Sequence, residues 1–202
     1  MIHRQDPEIL AAVPGLRRAL APFGGLPEEE WELLAAQSRA RNFSPGEFLA
    51  REGSVASQVF YLAKGLVRYY FLTEDGKEFN QHFVAEGGLA GSIFSLFGGQ
   101  ECSFTIEAIE PTRAICLPSS ALRGPEGLRP CWQEVWKAAA AYVAALKTEK
   151  ERELLSESLE ERYAGFDRRY PGLSKRLPQY HIASYLGVTP VALSRLRGRL
   201  RS

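Results

Sequence analysis

Residues 179–196 read Gln179-Tyr180-His181-Ile182-Ala183-Ser184-Tyr185-Leu186-Gly187-Val188-Thr189-Pro190-Val191-Ala192-Leu193-Ser194-Arg195-Leu196. Two short helices that cross steeply after a tight turn make specific demands on such a stretch. Ala183 is small where the helices must approach. Gly187 ends the first helix and accepts positive φ. Thr189 caps the second helix, and Pro190 suits its first turn, where the N–H it lacks is not needed. Ile182, Leu186, Val188, Leu193 and Leu196 fill the wedge between them. The pattern predicts helices over about 180–186 and 190–199, joined as a helix-turn-helix; a purely structural helical hairpin is the alternative.

In a helix-turn-helix the second helix enters the major groove with its N-terminal half. Its outward positions are Thr189, Pro190, Val191, Ser194 and Arg195, the expected base-reading set. Arg195 suits a bidentate contact to guanine O6/N7, and Ser194 is a weaker hydrogen-bonding group. Pro190 and Val191 can meet only a thymine methyl. Arg197, Arg199 and Arg201 are expected at phosphates, with Tyr180 and His181 at the start of the first helix touching the DNA backbone.

Charge runs the same way. The chain of 202 residues has a formal net charge of +1. From Glu161 to Ser202 there are nine Lys or Arg and two acids, so this part carries +7 and residues 1–160 carry −6. A basic module on an acidic body favours a polyanionic partner, against the plain reading of a solvated basic tail.

Upstream, residues 130–161 read as one long helix. Trp132, Val135, Ala139, Tyr142 and Leu146 recur at steps of three and four, a seam expected to meet a second copy of the chain. Trp136, Ala140 and Val143 form a second stripe beside it. Residues 43–118 change texture to short apolar runs between turn signals, as in a small β-sandwich or barrel. The runs are Phe48–Ala50, Val59–Leu62, Leu66–Leu72, Phe79–Val84, Phe104–Ile109 and Ala114–Leu117. Thr73-Glu74-Asp75-Gly76 is the best hairpin turn. A helix is expected from Leu26-Pro27-Glu28 to about Ala40, with Pro14 and residues 22–25 breaking whatever precedes it.

Composition narrows the classes. Hydrophobic residues are 45% and charged residues 24%, as in an ordinary globular chain. No run approaches the roughly 18 apolar residues of a membrane span, so no membrane partner is expected. The polar N-terminus and three widely spaced cysteines fit a reducing, cytoplasmic setting. No HExxH, GxSxG, GxGxxG or Walker motif occurs, and no enzyme activity is expected.

This linear order resembles the cyclic-AMP-receptor/fumarate-nitrate-regulator (Crp/Fnr) family of bacterial transcription regulators. Pro45-Gly46-Glu47 with Glu52-Gly53 resembles the opening of the family's β-roll. Phe60-Tyr61-Leu62 and Gly65-Leu66-Val67-Arg68 resemble its next strands and turn, and HIASYLGVTPVALSRLR is similar to its DNA-binding motif. The resemblance implies an α+β chain: a cyclic-nucleotide-binding-like β-roll, a long central dimerisation helix and a helix-turn-helix module. Their expected limits are 1–125, 126–160 and 161–202. It implies a homodimer on double-stranded DNA, with half-sites about 34–36 Å apart. RNA polymerase, for an activator, and an unidentified small effector are the further partners it allows.

The departures bear on that effector. In nucleotide-binding members a Gly-Glu pair is followed, about ten residues on, by Arg-Ser. Gly91 matches the glycine, Ser92 stands at the ribose-binding glutamate, Cys102 at the phosphate-pairing arginine, and Ser103 matches the serine. Without that guanidinium the bidentate clamp on a cyclic phosphate is missing, so conventional cyclic AMP binding is not expected. The pocket is either packed shut or built for another effector. No cofactor is expected: no cysteine precedes Cys102, which excludes the family's N-terminal iron–sulfur arrangement, and His3, His82 and His181 offer no patterned haem ligation. Cys102 reads as an inert buried thiol, with redox sensing as the alternative. Only Leu200-Arg201-Ser202 follow the second helix, so a mostly helical head is expected. The remaining alternative is a ligand-binding or protein-interaction module whose DNA binding has been lost.

Overall fold

The computed structural model describes residues 6–124 and 127–200. It divides into two compact units: one runs to Tyr69 and resumes over Val84–Tyr142, and the other takes Tyr70–Phe83 and everything from Val143.

The first unit opens with α1 (Pro7–Leu20) and α2 (Glu28–Gln37). Asp6 caps α1 by accepting from the Glu8 N–H at 2.9 Å, and Pro7 takes the first position. Pro14 lies inside α1 and does not break it, contrary to expectation. Burial of Ile9, Leu16 and Leu20 on one face holds the helix through the missing hydrogen bond. α2 stops at Gln37, short of the expected Ala40. There the buried Ser38 donates its hydroxyl to the Leu34 carbonyl at 2.6 Å and turns the backbone extended. The next residues, β1 (Arg39–Phe43), are therefore strand.

The remaining strands are β2 (Phe48–Ala50), β3 (Gln58–Lys64), β4 (Leu66–Leu72), β5 (Glu78–Ala85), β6 (Leu89–Ala90), β7 (Thr105–Ala108) and β8 (Thr112–Pro118), with a two-stranded ribbon of β9 (Arg123–Gly124) and β10 (Gly127–Leu128). They form sheets in the orders β1-β8-β3-β6 and β2-β7-β4-β5. The expected apolar runs all fall on strands, and Thr73–Gly76 turns β4 into β5.

Side-chain alternation sorts the core into two layers. Phe60, Leu62, Ala114 and Cys116 join Phe43, Val67, Tyr69, Val84, Ile106 and Ala108 in one cluster. Tyr61, Ile115 and Leu117, of opposite parity, join Ile9, Leu16, Leu20, Trp31, Leu34, Trp132 and Val135 in the other. Both faces of β3 and β8 are thus covered, and such strands read as continuous apolar runs. The same holds for β4, whose Arg68 is buried and forks onto Glu107 at 3.0 and 2.6 Å. Gly65, between β3 and β4, has φ +105°, and a Cβ there would lie 2.6 Å from the Thr112 Cα, so no other residue fits.

Helix α3 (Ile93–Gly98) fills the stretch after β6, and α4 (Pro130–Ser156) leads into the second unit. The expected helix to residue 161 is interrupted. Ser158 and Glu161 form a reciprocal capping box that starts α5 (Leu159–Arg169). α6 (Gln179–Leu186) and α7 (Pro190–Arg199) complete the unit. Its core is aromatic: Phe83, Phe166, Tyr170 and Tyr185 pack with ring centroids 5.3–6.2 Å apart. Among the described residues no helix is long and apolar enough to cross a membrane.

Candidate nucleic-acid interface

The turn between α6 and α7 is set by three residues. Gly187 closes α6 at φ 69°, ψ 33°, and the Val188 N–H returns to the Ala183 carbonyl at 3.0 Å. Thr189 accepts from the Ala192 N–H at 3.2 Å, and Pro190 begins α7. Ile182, Ala183, Leu186, Leu193 and Leu196 are wholly buried and fix the crossing of the two helices. On the opposite side of α7, Thr189, Pro190, Val191, Ser194 and Arg195 are all exposed. The structure therefore brings the five expected base-reading residues onto one open face.

The expected backbone contacts divide. Tyr180 is exposed, Arg197 is half-buried, and Arg201 lies outside the described residues. Arg199 is exposed and pairs with Glu160 at 2.8 Å. His181, expected at the DNA backbone, turns inward instead. It is buried at 6%, and Asn80 Nδ2 lies 3.2 Å from its Nδ1, so its side chain faces the interior and not a phosphate.

Behind the helix pair lies a charged network that local sequence reading missed. From α5, Arg162 Nη1 donates to the Leu186 carbonyl at 2.6 Å, satisfying the end of α6. Arg169 donates to the Tyr185 hydroxyl at 2.7 Å and to both Glu153 oxygens at 3.2 and 2.5 Å, and it pairs with Glu149 at 3.1 Å. Lys150 Nζ sits 3.5 Å over the Tyr185 ring and 3.6 Å from Glu153. Burial pushes Lys150 down to about 8 against the opposing pull of Glu153. Burial alone would raise Glu153, but the Arg169 hydrogen bonds and charge outweigh it and hold the carboxyl low. His82 Nδ1 meets the Tyr170 hydroxyl at 2.6 Å, and burial, then the Arg169 charge, pushes this histidine down to about 4. The partners are drawn from α4, α5, α6 and the β4–β5 hairpin, so no local motif announces them. The Ser158-x-x-Glu161 capping signature was the one readable sign that α5 begins afresh.

The expected effector stretch is held at three points by hydrogen bonds. Gly91 is gripped by Tyr69, whose hydroxyl accepts from the Gly91 N–H at 2.7 Å and meets its carbonyl at 3.4 Å. Burial pushes that phenol well above its usual range. Ser92 caps α3 by accepting from the Ser95 N–H at 3.3 Å. Cys102 is buried at 2%, with its backbone paired to Ser54 and Gly53 at 2.8 and 2.9 Å, while Ser103 is exposed.

The expected seam also changes. Trp132 and Val135 are 3% and 4% exposed inside the first unit's core, so neither is left for a second copy. The Trp132 indole N–H donates to Glu30 at 2.9 Å, anchoring α4 to α2. Ala139 and Leu146 are half-buried, and Tyr142 is 51% exposed.

Comparison with known proteins agrees with this organisation. Residues 40–124 match the cyclic nucleotide-binding domain. The anaerobic regulatory protein of Pasteurella multocida is 27% identical over 177 residues, which are 81% of this chain and 63% of that protein's length. The solved structure of FixK2 from Bradyrhizobium japonicum superposes with a TM-score of 0.69 at 24% identity, covering 81% of this chain and 84% of that one. The c-di-GMP-responsive global regulator CLP of Xanthomonas campestris gives 0.67 at 15% identity, covering 87% and 92%. Residues 40–124 thus match a cyclic nucleotide-binding domain, and the long helix and helix pair that follow it complete a fold shared with these solved regulator structures.

Proposed function

We propose that this chain is a transcription regulator that binds double-stranded DNA sequence-specifically as a homodimer, without conventional control by cyclic AMP. The observation that carries the reading is the open face of α7, where Thr189, Pro190, Val191, Ser194 and Arg195 stand exposed on a buried, capped helix pair. The +7 charge of residues 161–202 supplies attraction for phosphate. Arg195 is the base-reading cation, and Tyr180, Arg197, Arg199 and Arg201 serve the backbone.

Dimerisation through α4 is supported by what that helix leaves open. After Trp132 and Val135 enter their own core, Ala139, Tyr142 and Leu146 continue the apolar stripe. Independence from cyclic AMP is supported by the Gly91–Ser103 stretch. Gly91 is tied to Tyr69, Ser92 caps α3, the Cys102 backbone is paired with Ser54 and Gly53, and no cation stands at Cys102 to pair a phosphate. The test is selection of duplexes from a random pool by the purified protein, with and without cyclic AMP. We expect one enriched site of two half-sites, about 34–36 Å or a multiple apart, the same in both arms. No enrichment overturns DNA reading, and enrichment only with cyclic AMP overturns effector independence.

A further inference from the structure

The β4–β5 hairpin ends against α6. β5 is the outer strand of its sheet, so one edge must find hydrogen-bond partners elsewhere. At Asn80 and Glu78 the Ser184 hydroxyl is such a partner. The Asn80 N–H donates to Ser184 Oγ at 3.0 Å, and Ser184 Oγ donates to the Glu78 carbonyl at 2.8 Å. The Asn80 side chain, 5% exposed, extends the contact along the helix: its Nδ2 donates to the His181 carbonyl at 3.1 Å and faces His181 Nδ1. Three residues on, Phe83 joins the aromatic core, and its N–H donates to the Tyr170 hydroxyl at 3.4 Å. The hairpin tip carries Glu74 and Asp75, the latter paired with Lys77 at 2.5 Å. An acidic tip repels phosphate, so the hairpin is suited to bracing α6 and not to touching DNA.

We propose that Asn80 is a positioning residue of the DNA-reading head: through Ser184 and His181 it sets the rotation of α6, and with it the seating of α7. The proposal rests on the DNA reading above. α7 is fixed to α6 by the wholly buried wedge, so a rotation of α6 is carried to Arg195. Base contacts need close geometry, whereas phosphate attraction tolerates displacement. Loss of the brace should therefore strike the selected site and spare random duplex.

The test uses the full chain as wild type, Asn80→Ala, Ser184→Ala, the double variant and Ser184→Thr. Affinity for the selected site and for random duplex is measured by fluorescence anisotropy across salt, beside thermal melting by circular dichroism. Each Ala variant is expected to bind the selected site about tenfold more weakly, roughly 1.4 kcal/mol. Random-duplex affinity and its salt slope should not change. The double variant should be little worse than either single one, because both break one brace, and Ser184→Thr, which keeps the hydroxyl, should restore binding. Should Asn80→Ala fail to fold, the half-buried Ser184 carries the comparison. Unchanged binding to the selected site, or equal losses on both duplexes in step with melting temperature, overturns the proposal alone. A wild type that binds no duplex overturns the DNA reading and the proposal together.

Discussion

Arg195 is exposed on α7, four residues and about one helical turn beyond the exposed Val191. A guanidinium there can reach two guanine acceptors, worth roughly 1–3 kcal/mol against a wrong base. Arg195→Ala should weaken the selected site far more than random duplex, while Arg199→Ala should weaken both alike and lower the salt slope. Equal losses from both substitutions in a competition assay would refute that division. A second residue, His82, is expected to contribute to acid sensitivity. His82 falls from an ordinary 6.5 to about 4 in the fold. Between those values the unfolded chain binds the extra proton, so its stabilising contribution is present above about 6.5 and lost as pH falls toward 4. The loss is on the order of 3 kcal/mol. Urea unfolding at pH 7 and pH 4.5 should show it in the wild type and much less of it in His82→Gln; identical pH dependence in the two would exclude His82 as the cause.

Helix α4 does different work along its length. Its first turns belong to the core through Trp132 and Val135, and its middle exposes Tyr142, whose ring stands edge-on to Phe23 at 5.5 Å. In the dimer reading, Tyr142→Glu places an unpaired charge in the interface, a penalty of several kcal/mol. Light scattering should then report a monomer, and an undiminished dimer would show that the seam lies elsewhere. The seam was misplaced at its start because core and interface stripes share one period; a single helix does not reveal which neighbour each stripe meets. The turn and the wedge of the helix-turn-helix were legible, since the signals of Ala183, Gly187, Thr189 and Pro190 act within one turn of their positions, while the inward turn of His181 was not. β1 was hidden because Arg39-Ala40-Arg41 offers one small apolar residue between two cations, too short a pattern to set against a preceding helix, and its strand state comes from pairing with β8, Arg39 opposite Cys116 and Phe43 opposite Thr112. Asn80 and Arg169 gave no sign because their partners on α6 are 101 residues away for Asn80 and 16 for Arg169.

At the scale of the molecule, a domain matching the cyclic nucleotide-binding family precedes a basic helical unit. The two halves of the charge ledger, −6 over residues 1–160 and +7 beyond, fit that division of labour. A head that merely packs against another protein has no need of phosphate attraction, whereas one that reads a duplex must release counterions as it binds. The most direct measurement is therefore the affinity of the full chain for a random-sequence duplex at several salt concentrations. Log affinity is expected to fall linearly with log salt, with a slope of about −0.9 for each phosphate neutralised, several per dimer. Binding that is negligible and flat across the salt series would contradict it and leave an interaction module in its place.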